Sequence, residues 1–494
     1  MKRLARETAV YGLSSIVGRF LNWLLVPMYT RVLADTADYG VVTNLYGWTA
    51  LLLVILTYGM ETGFFRFINK KETENLLEVY ATTLFSLLCS SGLFILLLWI
   101  FLSPVSNGLG YGNHPEFISL MGTIVAVDAF CSIPFAYLRY AGRAYRFAGL
   151  KLFNIFLNIL LNIFFLVICP WLYAHNPSTI DWFYNPHYGV GYVFVANAFT
   201  TLITLCMLYP ELKLGFQTRF NPLLLKQIIR YSFPILILGI AGIFNQTADK
   251  ILFPFLFEDK AYAASQLGIY GACFKIAVVM VMFIQAFRYA YEPFIFAKNK
   301  SGNNQTAYAQ AMKYFIIFSL VIFLGVMFYL DVLKYFVSED YYPGLRVVPI
   351  VMLGELFFGI YFNLSFWYKL IDQTQWGAYF SIIGCVVTVT IILIFGPSYG
   401  YMACAWASFC CNLLMMFLSY FIGQKKFPIQ YDLRSAFIYF ALAGLLYIAG
   451  MTPSISSEII RLTYRTILLL LFIGFIIQRD LPLKEIPYIN RLFK

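Results

Sequence analysis

Apolar runs of about 20 residues recur along the whole chain, separated by short polar connections, and each is long enough to cross the hydrocarbon core of a bilayer as a helix. In lipid a backbone amide finds no water, so a segment must satisfy its own hydrogen bonds and coils into a helix. The chain is 61% hydrophobic and 12% charged, with a mean hydropathy of +0.74, which is more apolar surface than a soluble core of 494 residues buries. The fold class expected is therefore an all-α integral membrane protein. Spans fall near 9–31, 40–65, 79–102, 117–138, 148–172, 189–210, 231–256, 266–288, 314–336, 347–371, 376–396, 399–422, 436–452 and 459–478, about fourteen transmembrane helices, leaving no room for a sizeable soluble domain.

Charge gives an independent reading of this map. Lys and Arg number 26 in the N-terminus and the connections after even-numbered spans, against 7 on the other side. Positive loops stay in the cytoplasm, so both termini are expected there, with an even number of crossings. The net charge of +11 is thereby accounted for by cytoplasmic loops beside anionic headgroups, and needs no nucleic acid. Lys2, Arg3 and Arg6 before an apolar stretch, with Val32-Leu33-Ala34 beyond, resemble a signal peptide. Arg19 and Asn22 interrupt that stretch, however, and we read it as the first span. All nine cysteines fall within expected spans, as small packing residues.

The first span ends at Arg31, and an acidic turn (Asp35, Asp38) leads through Tyr39-Gly40 into the second. The seventh ends near Asp249-Lys250, and another acidic turn (Glu258, Asp259) leads through Leu267-Gly268-Ile269-Tyr270 into the eighth. Repeats in the same orientation imply two six-helix bundles related by a pseudo-two-fold axis along the membrane normal. The divisions expected are an N-terminal lobe at 1–210, an amphipathic cytoplasmic linker at 211–230, a second lobe at 231–422, and helices 13 and 14 with a cytoplasmic tail at 423–494.

The opening pattern Tyr11, Gly18, Pro27, Arg31, Tyr39-Gly40, its second-half echo and the span count resemble the polysaccharide transporter branch of the multidrug/oligosaccharidyl-lipid/polysaccharide exporter superfamily, the Wzx-type flippases. The resemblance implies two lobes around a central cavity in a bacterial inner membrane. It implies alternating inward-open and outward-open forms that carry an undecaprenyl-pyrophosphate-linked oligosaccharide (an O-antigen, capsule or exopolysaccharide repeat unit) to the periplasmic leaflet, coupled to H⁺ or Na⁺. Membrane lipids are the other expected partner, the protein is expected to be a monomer able to contact polysaccharide assembly machinery, and neither cofactor nor metal is expected.

Polar residues inside spans mark where such a cavity would lie. Arg19 is central in the first span and Lys275 about ten residues into the eighth; a cation at that depth is costly unless it meets water or a partner. Ser15, Arg19 and Asn22 share one stripe of the first helix, and Lys151, Asn154, Asn158 and Asn162 one stripe of the fifth. Cations suit a pyrophosphate, and amides suit sugar hydroxyls. Asp128 in the fourth span and Glu355 in the tenth are candidate proton carriers. The plainer alternative pairs these charges with one another and uses the amides to join helices.

Enzyme chemistry has little to stand on. His114, His175 and His187 are scattered over two loops, and neither a Gly-rich phosphate loop nor metal-ligand spacing occurs. A membrane glycan polymerase or ligase would carry a large loop. A multidrug or organic-cation antiporter of the same superfamily should favour acids in its cavity, whereas Arg19 and Lys275 favour an anionic cargo. A lipid II flippase shares the pyrophosphate carrier and stays open as an alternative.

Overall fold

A computed structural model describes residues 12, 14, 16–69, 76–299 and 305–480, and among them there is helix and no strand. Among the described residues twelve helices are long and apolar enough to cross a membrane, or thirteen if Gly191–Met207 and Tyr209–Phe216, bent by 56° at their junction, form one span. The expected fourteenth is the first. Only part of it is described, and that part is helical over 16–23, breaks at Leu24–Leu25 and resumes as α1 (Val26–Val32) with Pro27 in its first turn.

Local chemistry sets the boundaries. Helix α2 (Thr36–Thr57) starts where the Asp35 carboxylate accepts from Asp38 N at 3.0 Å while Asp38 accepts from Ala34 N at 3.2 Å. It ends at Tyr58 and Gly59, with φ of +31° and +72°, before α3 (Met60–Ile68). Then come α4 (Leu76–Ile100), α5 (Pro115–Tyr140), α6 (Ala144–Ile163) and α7 (Gly191–Met207). Helix α6 runs on through a π turn at Phe164–Ile168. Helix α8 (Pro222–Leu252) begins nine residues ahead of the expected 231, because Asn221 accepts from Leu223 N and Leu224 N and Pro222 supplies a helix-ready first residue. Helix α9 (Lys260–Asn299) is capped by Asp259, which accepts from Ala261 N and Tyr262 N. The two acidic turns therefore do the same local work as helix caps. The remainder are α10 (Gln305–Phe328), α11 (Val348–Leu364), α12 (Gln375–Tyr399), α13 (Tyr401–Lys426), α14 (Leu433–Met451) and α15 (Glu458–Arg479).

The chain forms two compact units, Met1–Ala272 with Ser381–Ala407, and Cys273–Phe380 with Ser408–Lys494. In the first, Met60, Phe64, Tyr80, Leu84, Ile133 and Ile228 make a buried cluster that joins α3, α4, α5 and α8. Buried Glu211 accepts from Arg146 at 2.7 Å, with Arg143 at 3.7 Å, and an ion pair links Arg139 to Glu61. In the second, Trp367, Phe380 and Met415 anchor a core of aromatic rings. There Asp331 binds Arg461 at 2.7 Å and buried Arg465 at 2.6 Å, pinning α15 to the end of α10. Large apolar side chains stand outward on many helices, Ile100, Ile394 and Leu445 among them, as lipid-facing surfaces do.

Candidate functional site

The first unit gathers a polar cluster among α1, α2, α5, α6 and α7. On α6 the amides sit one turn apart. Asn154 Nδ2 donates to Thr204 Oγ1 at 2.9 Å, tying α6 to α7, and Asn162 Nδ2 donates to Asn158 O at 2.7 Å and Asn158 Oδ1 at 3.1 Å. The Tyr29 hydroxyl on α1 donates to Asn162 Oδ1 at 2.9 Å, and Asn162 is fully buried. Gly18 packs against the same helix at Ile155. Lys151 is exposed, and its ammonium lies 4.1 Å from the Phe135 ring centre.

Asp128 is exposed although Ala126, Ala129 and Phe130 around it on α5 are buried, so its carboxylate faces open space. Thr201 on α7 lies beside it, and Lys151 supplies the opposite charge nearby. Tyr46 on α2 belongs to the same neighbourhood and accepts from Asn197 Nδ2 at 3.0 Å. A carboxylate with an open face can exchange a proton or hold a cation, the ammonium can meet an anion, and phenols and amides can bond hydroxyls.

The structure thus brings together Lys151, Asn154, Asn158, Asn162 and Asp128. The three asparagines already bond within the protein, as the helix-joining alternative requires. Arg19 and Asn22 are exposed on the helical stretch 16–23, and Ser15 lies outside the described residues. Lys275 and Glu355 belong to the second unit, where both are half-buried and engaged by neighbours. Tyr29, Tyr46, Thr201 and Thr204 escaped the sequence reading, although Asn197, Thr201 and Thr204 stand at helical spacing in one apolar run. Asp249, read as the end of a span, is buried: it accepts from the Tyr270 hydroxyl at 2.6 Å and binds Lys250 Nζ at 3.1 Å through both oxygens. Among the described residues no group of three or more His, Cys, Asp or Glu is placed to hold a metal.

A family model described as polysaccharide biosynthesis protein matches residues 4–297. The chain belongs to the polysaccharide biosynthesis protein family. No curated protein matches this family member. Among solved structures it is similar to the lipid II flippase MurJ in an inward closed conformation, with a TM-score of 0.68 and 13% identity over 96% of this chain and 99% of that one. It is also similar to a multidrug resistance MATE family transporter of the MOP superfamily in two conformations. The inward-facing form gives a TM-score of 0.62 at 14% identity, covering 82% of this chain and 93% of that one. The outward-facing form gives 0.57 at 13%, covering 85% and 95%. These likenesses establish that this family member has the helical fold shared by MurJ and MATE transporters.

Proposed function

We propose that the protein is a flippase of the bacterial inner membrane, translocating an undecaprenyl-pyrophosphate-linked oligosaccharide from the cytoplasmic to the periplasmic leaflet. The observation that carries this reading is the match to a polysaccharide biosynthesis family by a chain made of membrane-spanning helices. The lobes 1–210 and 231–422, joined by the linker 211–230 and followed by helices 13 and 14 at 423–494, alternate in access. Arg19 and Lys275 attract the pyrophosphate. The amide and hydroxyl groups of α6 and α7 exchange hydrogen bonds with sugars, and Asp128 or Glu355 couples the cycle to H⁺ or Na⁺.

A second reading, export of an organic cation, draws on one observation: the carboxylate of Asp128 faces open space. One experiment separates the two. In reconstituted vesicles the flippase reading requires transfer of lipid-linked glycan between leaflets, and the exporter reading requires cation flux without it. A strain lacking the gene should accumulate the lipid-linked oligosaccharide on the cytoplasmic leaflet, and its normal export there would overturn the flippase reading.

A further inference from the structure

The second unit holds a cavity of about 490 Å³ bounded by α10, α11, α13 and α14. Its walls are largely hydrocarbon, from Met312, Ile316, Leu364, Phe417 and Phe440. These are membrane-spanning helices, and water gains no partners along such walls. In a membrane the chemistry of such walls suits a hydrocarbon chain.

The charged residues in its lining are Lys313 and Asp432. They stand 3.3 Å apart, with side chains 21% and 44% exposed. Lys313 also binds Asp480 Oδ1 at 2.5 Å, and Asp480 takes the Tyr439 hydroxyl as well. Asp432 caps α14 by accepting from Ser435 N at 3.0 Å, and much of its carboxylate stays open. The mouth of the cavity thus presents an ammonium and an open carboxylate side by side. The carboxylate is charged throughout, because hydrogen bonds from Ser435 and then the Lys313 ammonium hold it down at about 2.

We propose that this cavity is a binding site for an aminophospholipid such as phosphatidylethanolamine, one acyl chain in the apolar groove and the headgroup on Lys313 and Asp432. The lipid phosphate meets the Lys313 ammonium, and the primary ammonium donates hydrogen bonds to Asp432. One ammonium here stands among two carboxylates, Asp432 and Asp480, so a lipid whose headgroup carries a cation complements the site better than an anionic lipid without an amine. A choline headgroup carries the charge but has no N–H to donate. The Lys and Arg bias of the sequence assigns this end to the cytoplasmic leaflet. The site stands whether or not the protein is a flippase.

The test uses the full chain purified from nanodiscs of phosphatidylglycerol containing equal phosphatidylethanolamine and phosphatidylcholine, with mass spectrometry of the lipid it retains. The expected result is retention of the ethanolamine lipid over the choline lipid, with the preference lost in Asp432→Asn. Because Asp432 also caps a helix, Ala436→Trp serves as a second variant, filling the groove from α14 while leaving both charges in place, and it should lose the retained lipid. Equal retention of the two lipids by the parent protein, or an undiminished preference in folded Ala436→Trp, overturns the proposal.

Discussion

Gly268 lies against Gly40: a Cβ on Gly268 would stand 2.9 Å from Gly40 N and 1.8 Å from Thr36 O. The relation is reciprocal, since a Cβ on Gly40 would stand 1.8 Å from Ala264 O, four residues before Gly268. The Thr36 and Ser265 hydroxyls bond across the same crossing at 2.6 Å. Helices α2 and α9 come this close only because neither carries a side chain there. Gly268→Leu should therefore force the helices apart, costing about 1–3 kcal/mol or more, with a lower unfolding temperature in detergent. A temperature unchanged from the parent would show the crossing to be slack.

Tyr29→Phe should leave Asn162 Oδ1 without its donor in a fully buried site. The expected loss is about 0.6 kcal/mol, the average for hydrogen bonds between helices in a membrane, and at most about 1.7 kcal/mol. Tyr29→Phe combined with Asn162→Leu removes both partners' polar atoms at that point, and the pair should cost less than the sum of the two single changes. Additive losses in this double-mutant cycle would contradict a direct coupling.

Asp128→Asn should abolish the pH dependence of transport while leaving folded protein in the membrane, because its open carboxylate stands beside Lys151. Glu355→Gln tests the alternative carrier in the second unit. Unchanged pH dependence in both variants removes them as coupling groups.

Arg19 is exposed on its helix, and its charge should matter more than its shape. Arg19→Lys keeps a cation and should retain partial transport, whereas Arg19→Ala and Arg19→Glu should lose it, with expression measured alongside. Well-folded Arg19→Ala that moves lipid-linked glycan at the parent rate would end its assignment to the cargo.

Hydrogen bonds from Ser435 and then the Lys313 ammonium hold the Asp432 carboxyl at about 2 in the folded protein, below an ordinary value of about 3.9. A depressed folded value means stabilisation that is present above about pH 4 and fades as pH falls through about 2. Unfolding temperatures recorded across that window should drop less in Asp432→Asn than in the parent. Parallel curves would remove Asp432 as a contributor.

The sequence by itself determined that this chain lives in lipid, since runs such as 79–102 and 376–396 leave a backbone no alternative to the helix. It also supplied the acidic turns that start α2 and α9, because an Asp cap is a local bond within four residues. What it could not determine is which polar side chains meet. Asn162 and Tyr29 are 133 residues apart, and whether an asparagine faces a sugar or another helix depends on the rotation of two helices that periodicity fixes only relative to themselves. The same holds for Asp249: the sequence places it near the end of an apolar run, and only the fold shows that it is buried with the Tyr270 hydroxyl on it. Packing also decided that Gly40 and Gly268 touch. A glycine declares only that space is needed, and the tertiary structure supplies the neighbour that needs it.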